Sequence, residues 1–569
     1  MVAAAIGSAW LGHWADGAAL LFLFSLSHAM EAIILGRTRK AISDLMHLTP
    51  EEAIRLRDGH EERVAVADLQ AGDLVLVHPG ERLPADGEIR SGATSVDESP
   101  VNGESIPADK APGDSVFAGT LNQQGVIQVA VTRAAGQSTL ARMVQLVEEA
   151  QSQRAHSQQF TEWFGARYSW IVLGLAMATL LGARCFRTEG WDASFYRMMT
   201  VLVVASPCAV VISIPAAILA AISSAARGGV LFKGGSAIER AATLKGMAFD
   251  KTGTLTIGRP RVVTVLPAVD ATEIDVLQNA AALEVHSEHP LAKAIVNAAK
   301  ERGVEFDPAA DVQAVTGCGV TGAVRGEPRR VGKMSWFVEQ GLAVNSQSIP
   351  GVEAAMQRGE TVVGVTRDGR WIGAVGIADT LRPTAASCLT ELRMLGFTEL
   401  VMLTGDAEPV ARELGRRLQL HHRAALLPAE KLLAIRQLRE RVGPVGMIGD
   451  GMNDAPSLAA ADLGFSLGGA GTDVALETAD VIILADDLRR LPYAIALARR
   501  SQQIIRQNLV FAFGVMLSLF VAAMLVRLPL PLAVLGHEGS TVLVILNGLR
   551  LLTFPRPTSP RPQDGIQPA

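Results

Sequence analysis

The sequence predicts a multi-domain membrane protein: an α-helical transmembrane bundle that carries an all-β domain and a parallel α/β domain with an α+β insertion. Three observations lead there. Apolar windows approaching the ~20 residues needed to span a bilayer recur at 17–36, 163–183, 198–224, 505–526 and 528–552. Between 63 and 135, runs such as RVAVADL, DLVLVHPG and GVIQVAVTR alternate β-branched residues with Gly, Pro and Asp turns, as in a small β domain. Between 226 and 500, strand-like runs (MAFD, LVMLTGD, PVGMIGD, VIIL) alternate with helical stretches, the signature of a parallel sheet.

In chain order, 1–45 forms an N-terminal transmembrane hairpin, 46–155 the all-β domain and 156–225 a set of transmembrane helices. The α/β domain begins at 226–257, is interrupted by the insertion at 258–372 and resumes over 373–500; transmembrane helices return at 501–553. The Pro-rich, polar 554–569 is expected to be a disordered tail. The first helix of the hairpin is only an apolar stub at 2–12. Five full spans put the N-terminus outside, so either the chain is N-terminally incomplete or its first helix is half built.

Arg37, Arg39 and Lys40 follow the first full span, Arg227 and Lys233 the third, and Arg499, Arg500 and Arg506 precede the fourth. Positive residues favour the cytoplasmic side, which places both large insertions there. With 569 residues, 19% of them charged, the chain is too long for one core and too apolar for an ordinary soluble enzyme. A net charge of -5 without a basic run excludes a nucleic-acid binder. The four cysteines are scattered, which excludes a disulfide framework or a zinc finger, and the N-terminus lacks the basic region of a signal peptide.

The candidate chemistry sits at strand ends. Asp250, in the run Asp250-Lys251-Thr252-Gly253-Thr254, follows the apolar strand Met247-Ala248-Phe249, where open α/β sheets bind ligands. A carboxylate there can attack a phosphoryl group if a cation offsets the charge. Thr404-Gly405-Asp406 and Asp450-Gly451-Met452-Asn453-Asp454 end two further strands and bring oxygen donors suited to phosphate and Mg²⁺, while Lys431 balances phosphate charge.

Together DKTGTLT, TGD and GDGMNDAP resemble the signature of P-type ATPases, built on the haloacid-dehalogenase-like fold. The resemblance covers nearly the whole chain. It implies that Asp250 is phosphorylated, that Asp250, Thr252 and Asp450 hold Mg²⁺, and that Lys431, Thr404, Asp406, Asn453 and Asp454 surround the phosphate. The β domain becomes an actuator domain, the α/β domain a phosphorylation domain and the insertion a nucleotide-binding domain. Asn102-Gly103-Glu104-Ser105 matches the family's TGES loop with Asn in place of Thr, so Glu104 inherits the role of positioning the hydrolytic water. Ser287-Glu288-His289-Pro290 and Gly317-Cys318-Gly319 resemble the nucleotide site of heavy-metal pumps, with Glu284, His289, Gly317 and Gly319 contacting ATP. Gly332-Lys333 stands where Gly-Asn is usual.

Within the bundle, Pro207 of Ser206-Pro207-Cys208 breaks a helix, and irregular backbone at membrane depth is tolerated where it is buried or lines a site. His537 and Glu538 are ionisable residues inside a span, a functional sign. Cys208 lies about 11 residues past Arg197 and His537 about 10 past Arg527; at ~1.5 Å per residue both reach the middle of a ~30 Å core. Ser-Pro-Cys with a later His-Glu-Gly-x-Thr resembles the cobalt-transporting subgroup, which implies Ser206, Cys208, His537, Glu538 and Thr541 as ligands.

The reading is ATP-driven export of a divalent transition metal through an aspartyl-phosphate, cobalt first, with zinc, iron, nickel or cadmium as alternatives. The competing readings are a membrane-tethered phosphohydrolase of the same fold and a transport-deficient, N-terminally truncated pump. The expected partners are the lipid bilayer, ATP, the metal ion and a cytoplasmic metal donor, with no nucleic acid. The chain is expected to be monomeric, in the plasma membrane, with cytoplasmic soluble domains.

Overall fold

The computed structural model describes residues 2–46, 49–57, 60–98, 107–138, 141, 156–186, 190–287, 289–315, 318–339, 341, 349, 351–406, 408–449, 454–468, 478–484, 487–526 and 528–555. Two compact units emerge, Met1–Thr243 with Gly468–Gly471 and Asp480–Ala569, and Leu244–Leu467 with Thr472–Ala479.

The first unit opens with α1 (Val2–Trp10) and α2 (Trp14–Met46), which contains the first apolar window. A six-stranded antiparallel sheet follows, in the order β2-β1-β3-β6-β4-β5, from β1 (Glu52–Arg57), β2 (His60–Ala65), β3 (Leu74–Val77), β4 (Gly87–Ser91), β5 (Ser115–Val116) and β6 (Ile127–Val131). Alternate residues face inward: Val75 and Val77 on β3 meet Ile127, Val129 and Val131 on β6 in one core. Then come α3 (His156–Phe186), α4 (Trp191–Val204) and α5 (Cys208–Arg227).

In the second unit, β7 (Gly246–Asp250) enters a parallel sheet. The insertion is a six-stranded antiparallel sheet, ordered β8-β13-β12-β11-β10-β9, of β8 (Thr256–Pro267), β9 (Ala310–Val315), β10 (Gly319–Val324), β11 (Glu327–Lys333), β12 (Thr361–Arg367) and β13 (Arg370–Leu381). Helices α6 (Glu273–Glu284) and α7 (Pro290–Glu301) cover it through Val276, Leu277, Ala280 and Ile295. A short α8 (Val352–Gln357) precedes β12, and the insertion's first and last strands start at Thr256 and end at Leu381.

The chain then completes the parallel sheet with β14 (Glu399–Leu403), α9 (Glu408–Leu418), β15 (His421–Arg423), α10 (Pro428–Val442), β16 (Val445–Gly449), α11 (Ala455–Ala460) and β17 (Leu463–Leu467). The order β17-β16-β7-β14-β15 makes β7 the strand from which the chain winds first one way and then the other. Crevices open at the carboxyl ends of strands at such a switch point. Strands β7, β16 and β17 are buried along their whole length, which is why they read as continuous apolar runs.

The first unit ends with α12 (Arg490–Leu525) and α13 (Leu530–Leu549). Among the described residues, Arg167–Cys185, Trp191–Arg227, Arg490–Leu525 and Leu530–Thr553 are long and apolar enough to cross a membrane. Small residues let these helices approach closely: a Cβ on Gly548 of α13 would sit 3.5 Å from the Ala217 backbone of α5. Polar ties add to this contact, since Asn508 of α12 donates to the Val544 carbonyl at 3.1 Å and accepts from Asn547 at 2.8 Å. Arg197, buried on α4, donates to the Ala523 carbonyl at 2.6 Å and so satisfies the last turn of α12.

Candidate functional site

Asp250 ends β7, the central strand, and is 6% exposed. The Lys431 ammonium, on the first turns of α10, donates to Asp250 Oδ1 at 2.6 Å and to Asp454 Oδ1 at 2.7 Å. Burial opposes the lysine charge, but the two carboxylates outweigh it and hold the Lys431 pKa above its ordinary value. Asp454, 2% exposed, precedes α11. Thr404 follows β14, is buried, and its hydroxyl accepts from the Asp406 N–H at 3.1 Å. Asp406 forms an ion pair with Lys251, the residue after the nucleophile candidate.

The loop after Asp250 turns sharply, with Gly253 at φ +74, and leaves Thr252 exposed. Two residues that the sequence reading did not single out hold this loop. Buried Arg382 donates through Nε to the Thr254 carbonyl and through Nη2 to the Gly253 carbonyl, both at 2.8 Å. Asp379 accepts from the Thr256 hydroxyl at 2.5 Å. The only local signal was the Asp379-Thr380-Leu381-Arg382-Pro383 run at the end of a long strand.

In the insertion, Glu284 closes α6, and burial raises its carboxyl above the ordinary range, partly offset by a hydrogen bond from Ser287. His289 caps α7, its Nδ1 accepting from the Leu291 N–H at 3.2 Å. Gly319 starts β10 opposite Gly332, and a Cβ there would meet the Val331 carbonyl at 2.1 Å, so only glycine fits. Glu104, Gly317, Asp450 and Asn453 lie outside the described residues.

In the bundle, the break expected at Pro207 divides the 198–224 span into two helices, because Pro207 offers no N–H and α5 restarts at Cys208. Ser206 Oγ lies 3.1 Å from Cys208 Sγ. Ser206 and Pro207 share a ≈ 10 Å³ cavity with His537 and Ser540 of α13, closed by Ala512 and Met516 of α12. Room for about one water-sized sphere remains. His537 is 3% exposed, and its Nε2 has no partner among the described residues. Its carbonyl accepts from Ser540 at 2.6 Å and from Thr541 at 3.4 Å. Cys208, Glu538 and Thr541 do not line that cavity, although Glu538 and Thr541 are buried. Among the described residues no three His, Cys, Asp or Glu side chains converge on one point, so the expected ligand set is only partly assembled.

A strand-end carboxylate whose charge is already answered by a buried ammonium suits reversible phosphorylation, and a chain that also carries membrane helices is a membrane-bound phosphoryl-transfer enzyme. Residues 47–148 match the P-type ATPase actuator domain and residues 244–462 the haloacid dehalogenase-like hydrolases. The zinc-transporting ATPase of Bacillus subtilis (strain 168) is 44% identical over 97% of this chain and 86% of its own length. A probable cobalt/nickel-exporting P-type ATPase of Mycolicibacterium smegmatis is 42% identical over 97% of this chain and 84% of its own. A crystal structure of a zinc-transporting PIB-type ATPase in the E2.Pi state superposes with a TM-score of 0.65 at 38% identity, covering 96% of this chain and 89% of that one. The chain belongs to the heavy-metal-transporting P-type ATPases: it hydrolyses ATP to move a metal ion across the membrane in which it is embedded. Matches of this length to transporters set aside the membrane-tethered phosphohydrolase.

Proposed function

We propose that the chain exports a borderline divalent ion, cobalt foremost, by a cycle in which the Asp250 carboxylate attacks the γ-phosphorus of ATP and ADP leaves. Lys431 neutralises charge as the phosphoryl group arrives, and Asp454 keeps that ammonium in place. Thr404, Asp406 and Asn453 surround the phosphate, and Glu104 on the actuator loop directs water at the aspartyl-phosphate to reset the pump. Glu284, His289, Gly317 and Gly319 hold the nucleotide. The oxygen-only donors around Asp250 suit a hard cation, and Asp250, Thr252 and Asp450 would hold Mg²⁺, which offsets negative charge on the transferred group. The domain limits given above, 46–155, 226–257 with 373–500, and 258–372, belong to the same reading.

One observation carries the choice of cargo: the backbone break at Ser206-Pro207 and the buried His537, whose Nε2 has no partner among the described residues, line one cavity. Cys208, Ser206, His537, Glu538 and Thr541 then complete a mixed sulfur, nitrogen and oxygen set as the bundle rearranges. Ions of intermediate softness accept such a set, whereas monovalent copper prefers sulfur throughout. Zinc is the second reading, because the 44% identical relative is named for zinc transport. ATPase rate against a panel of divalent ions tests both: strongest stimulation by Co²⁺ is expected, strongest stimulation by Zn²⁺ selects the second reading, and equal rates without metal contradict the proposal.

A further inference from the structure

A cavity of ≈ 560 Å³ lies within the second unit, a size typical of small-molecule sites. Its walls include Lys251 and Thr252, immediately after Asp250, and Leu291, two residues past His289. A nucleotide with its terminal phosphate at Asp250 and its base toward His289 therefore runs its polyphosphate between these walls. Arg358 and Arg417 are the guanidinium groups that line that stretch.

The two differ in how they are held. Arg417 and Arg358 are similarly exposed, 51% and 46%, but Arg417 shares its partner, the partly buried Glu413, with Arg416 on α9. Arg358 is anchored on one edge: its Nε donates at 2.8 Å to Glu360, which is 8% exposed, and its Nη2 reaches the Thr264 hydroxyl at 3.4 Å. The next residue, Gly359, has φ +84, and a Cβ there would sit 3.3 Å from the Val410 Cα of α9. Glycine at 359 therefore lets the turn that follows Arg358 pack close against α9. A guanidinium fixed along one edge presents its remaining N–H groups as a rigid fork, the geometry that suits two phosphate oxygens.

We propose that Arg358 is a specificity-determining residue that reads the nucleotide's polyphosphate. The proposal rests on the nucleotide reading given above. It separates ATP from AMP, because both share the base and ribose and only ATP reaches the guanidinium with its outer phosphates.

The test is displacement of trinitrophenyl-ATP from the purified full-length chain by ATP and by AMP. Wild type is compared with the double variant Arg358→Met/Glu360→Gln, which removes the guanidinium and the buried charge together, and with Arg358→Lys. The ATP-over-AMP preference should fall about tenfold in the double variant, with AMP affinity unchanged, and less than that in Arg358→Lys. An unchanged preference in both variants, or an equal loss for ATP and AMP, overturns the role of Arg358. If the double variant does not fold, a wild-type preference in Arg358→Lys alone overturns it. A wild-type chain without any ATP-over-AMP preference would instead sink the underlying nucleotide reading.

Discussion

At the end of β7, Lys431 stands between Asp250 and Asp454 and Lys251 pairs with Asp406, while in the bundle His537 carries a buried Nε2 with no partner among the described residues. The first arrangement is a set of paired charges on a sheet edge. The second is an unfinished set across a helix break. Leaving a buried polar atom unpaired costs ~1–3 kcal/mol, a cost offset when an arriving ion supplies the partner. Covalent chemistry at a fixed point calls for charges paired in advance, whereas a site that takes up and releases a metal ion cannot have its ligands saturated by the protein itself.

The largest expected effect breaks the finished side. Asp250→Asn should remove all acid-stable labelling from ATP, because an amide is no nucleophile toward phosphorus; normal labelling stoichiometry would end the assignment. Next is Lys431→Met, which takes the ammonium away from two buried carboxylates. Breaking a buried pair in this way costs ~3–5 kcal/mol, so denaturant unfolding should shift down by about that much and labelling should fall ~100-fold. A folded lysine pKa above the ordinary value means the stabilisation is complete below pH ~10.4 and lost as pH rises through the folded value. The stability gap between wild type and variant should therefore be flat from pH 6 to 9, and a gap that closes within that window contradicts the ion-pair account.

His537→Ala probes the unfinished side. Metal stimulation of ATPase rate should drop at least ~10-fold while displacement of trinitrophenyl-ATP by ATP is unaltered, because a lost ligand costs metal affinity and not nucleotide affinity. Loss of both would mark His537 as a packing residue. The smallest effect is expected at Glu284. Its carboxyl is raised by burial, so above the ordinary value of 4.5 the native state resists ionisation that the unfolded chain undergoes freely. Stability is lost as pH rises through the folded value, and Glu284→Gln escapes that loss. The melting temperature of the variant should rise relative to wild type as pH goes from 4 to 7, and a pH-independent difference would contradict the burial argument.

What could be read from sequence follows the same division. The strand-end placement of Asp250, Thr404 and Asp406 was legible because each follows an apolar run in a sheet buried on both faces, and position on a strand end is a local property. Lys431 was placed near them by its motif, and its ammonium does reach Asp250. Arg382 and Asp379 were not legible, since they act on carbonyls and a hydroxyl more than 120 positions away in the chain, brought together only by β8 pairing with β13. The helix break at Pro207 was legible from proline chemistry. That His537 shares its cavity while Cys208 does not depends on helix rotation, which neither hydropathy nor depth along a helix encodes.

The most direct test of the account is phosphoenzyme formation from ATP, titrated with divalent metal in wild type and Cys208→Ala. Wild-type labelling at Asp250 should rise from near zero to saturation with Co²⁺ or Zn²⁺. In Cys208→Ala the same titration should stay flat or shift at least ~10-fold to higher metal. Full labelling of wild type with no divalent transition metal present, or identical titrations of the two proteins, would contradict the link between the membrane site and the phosphorylation centre.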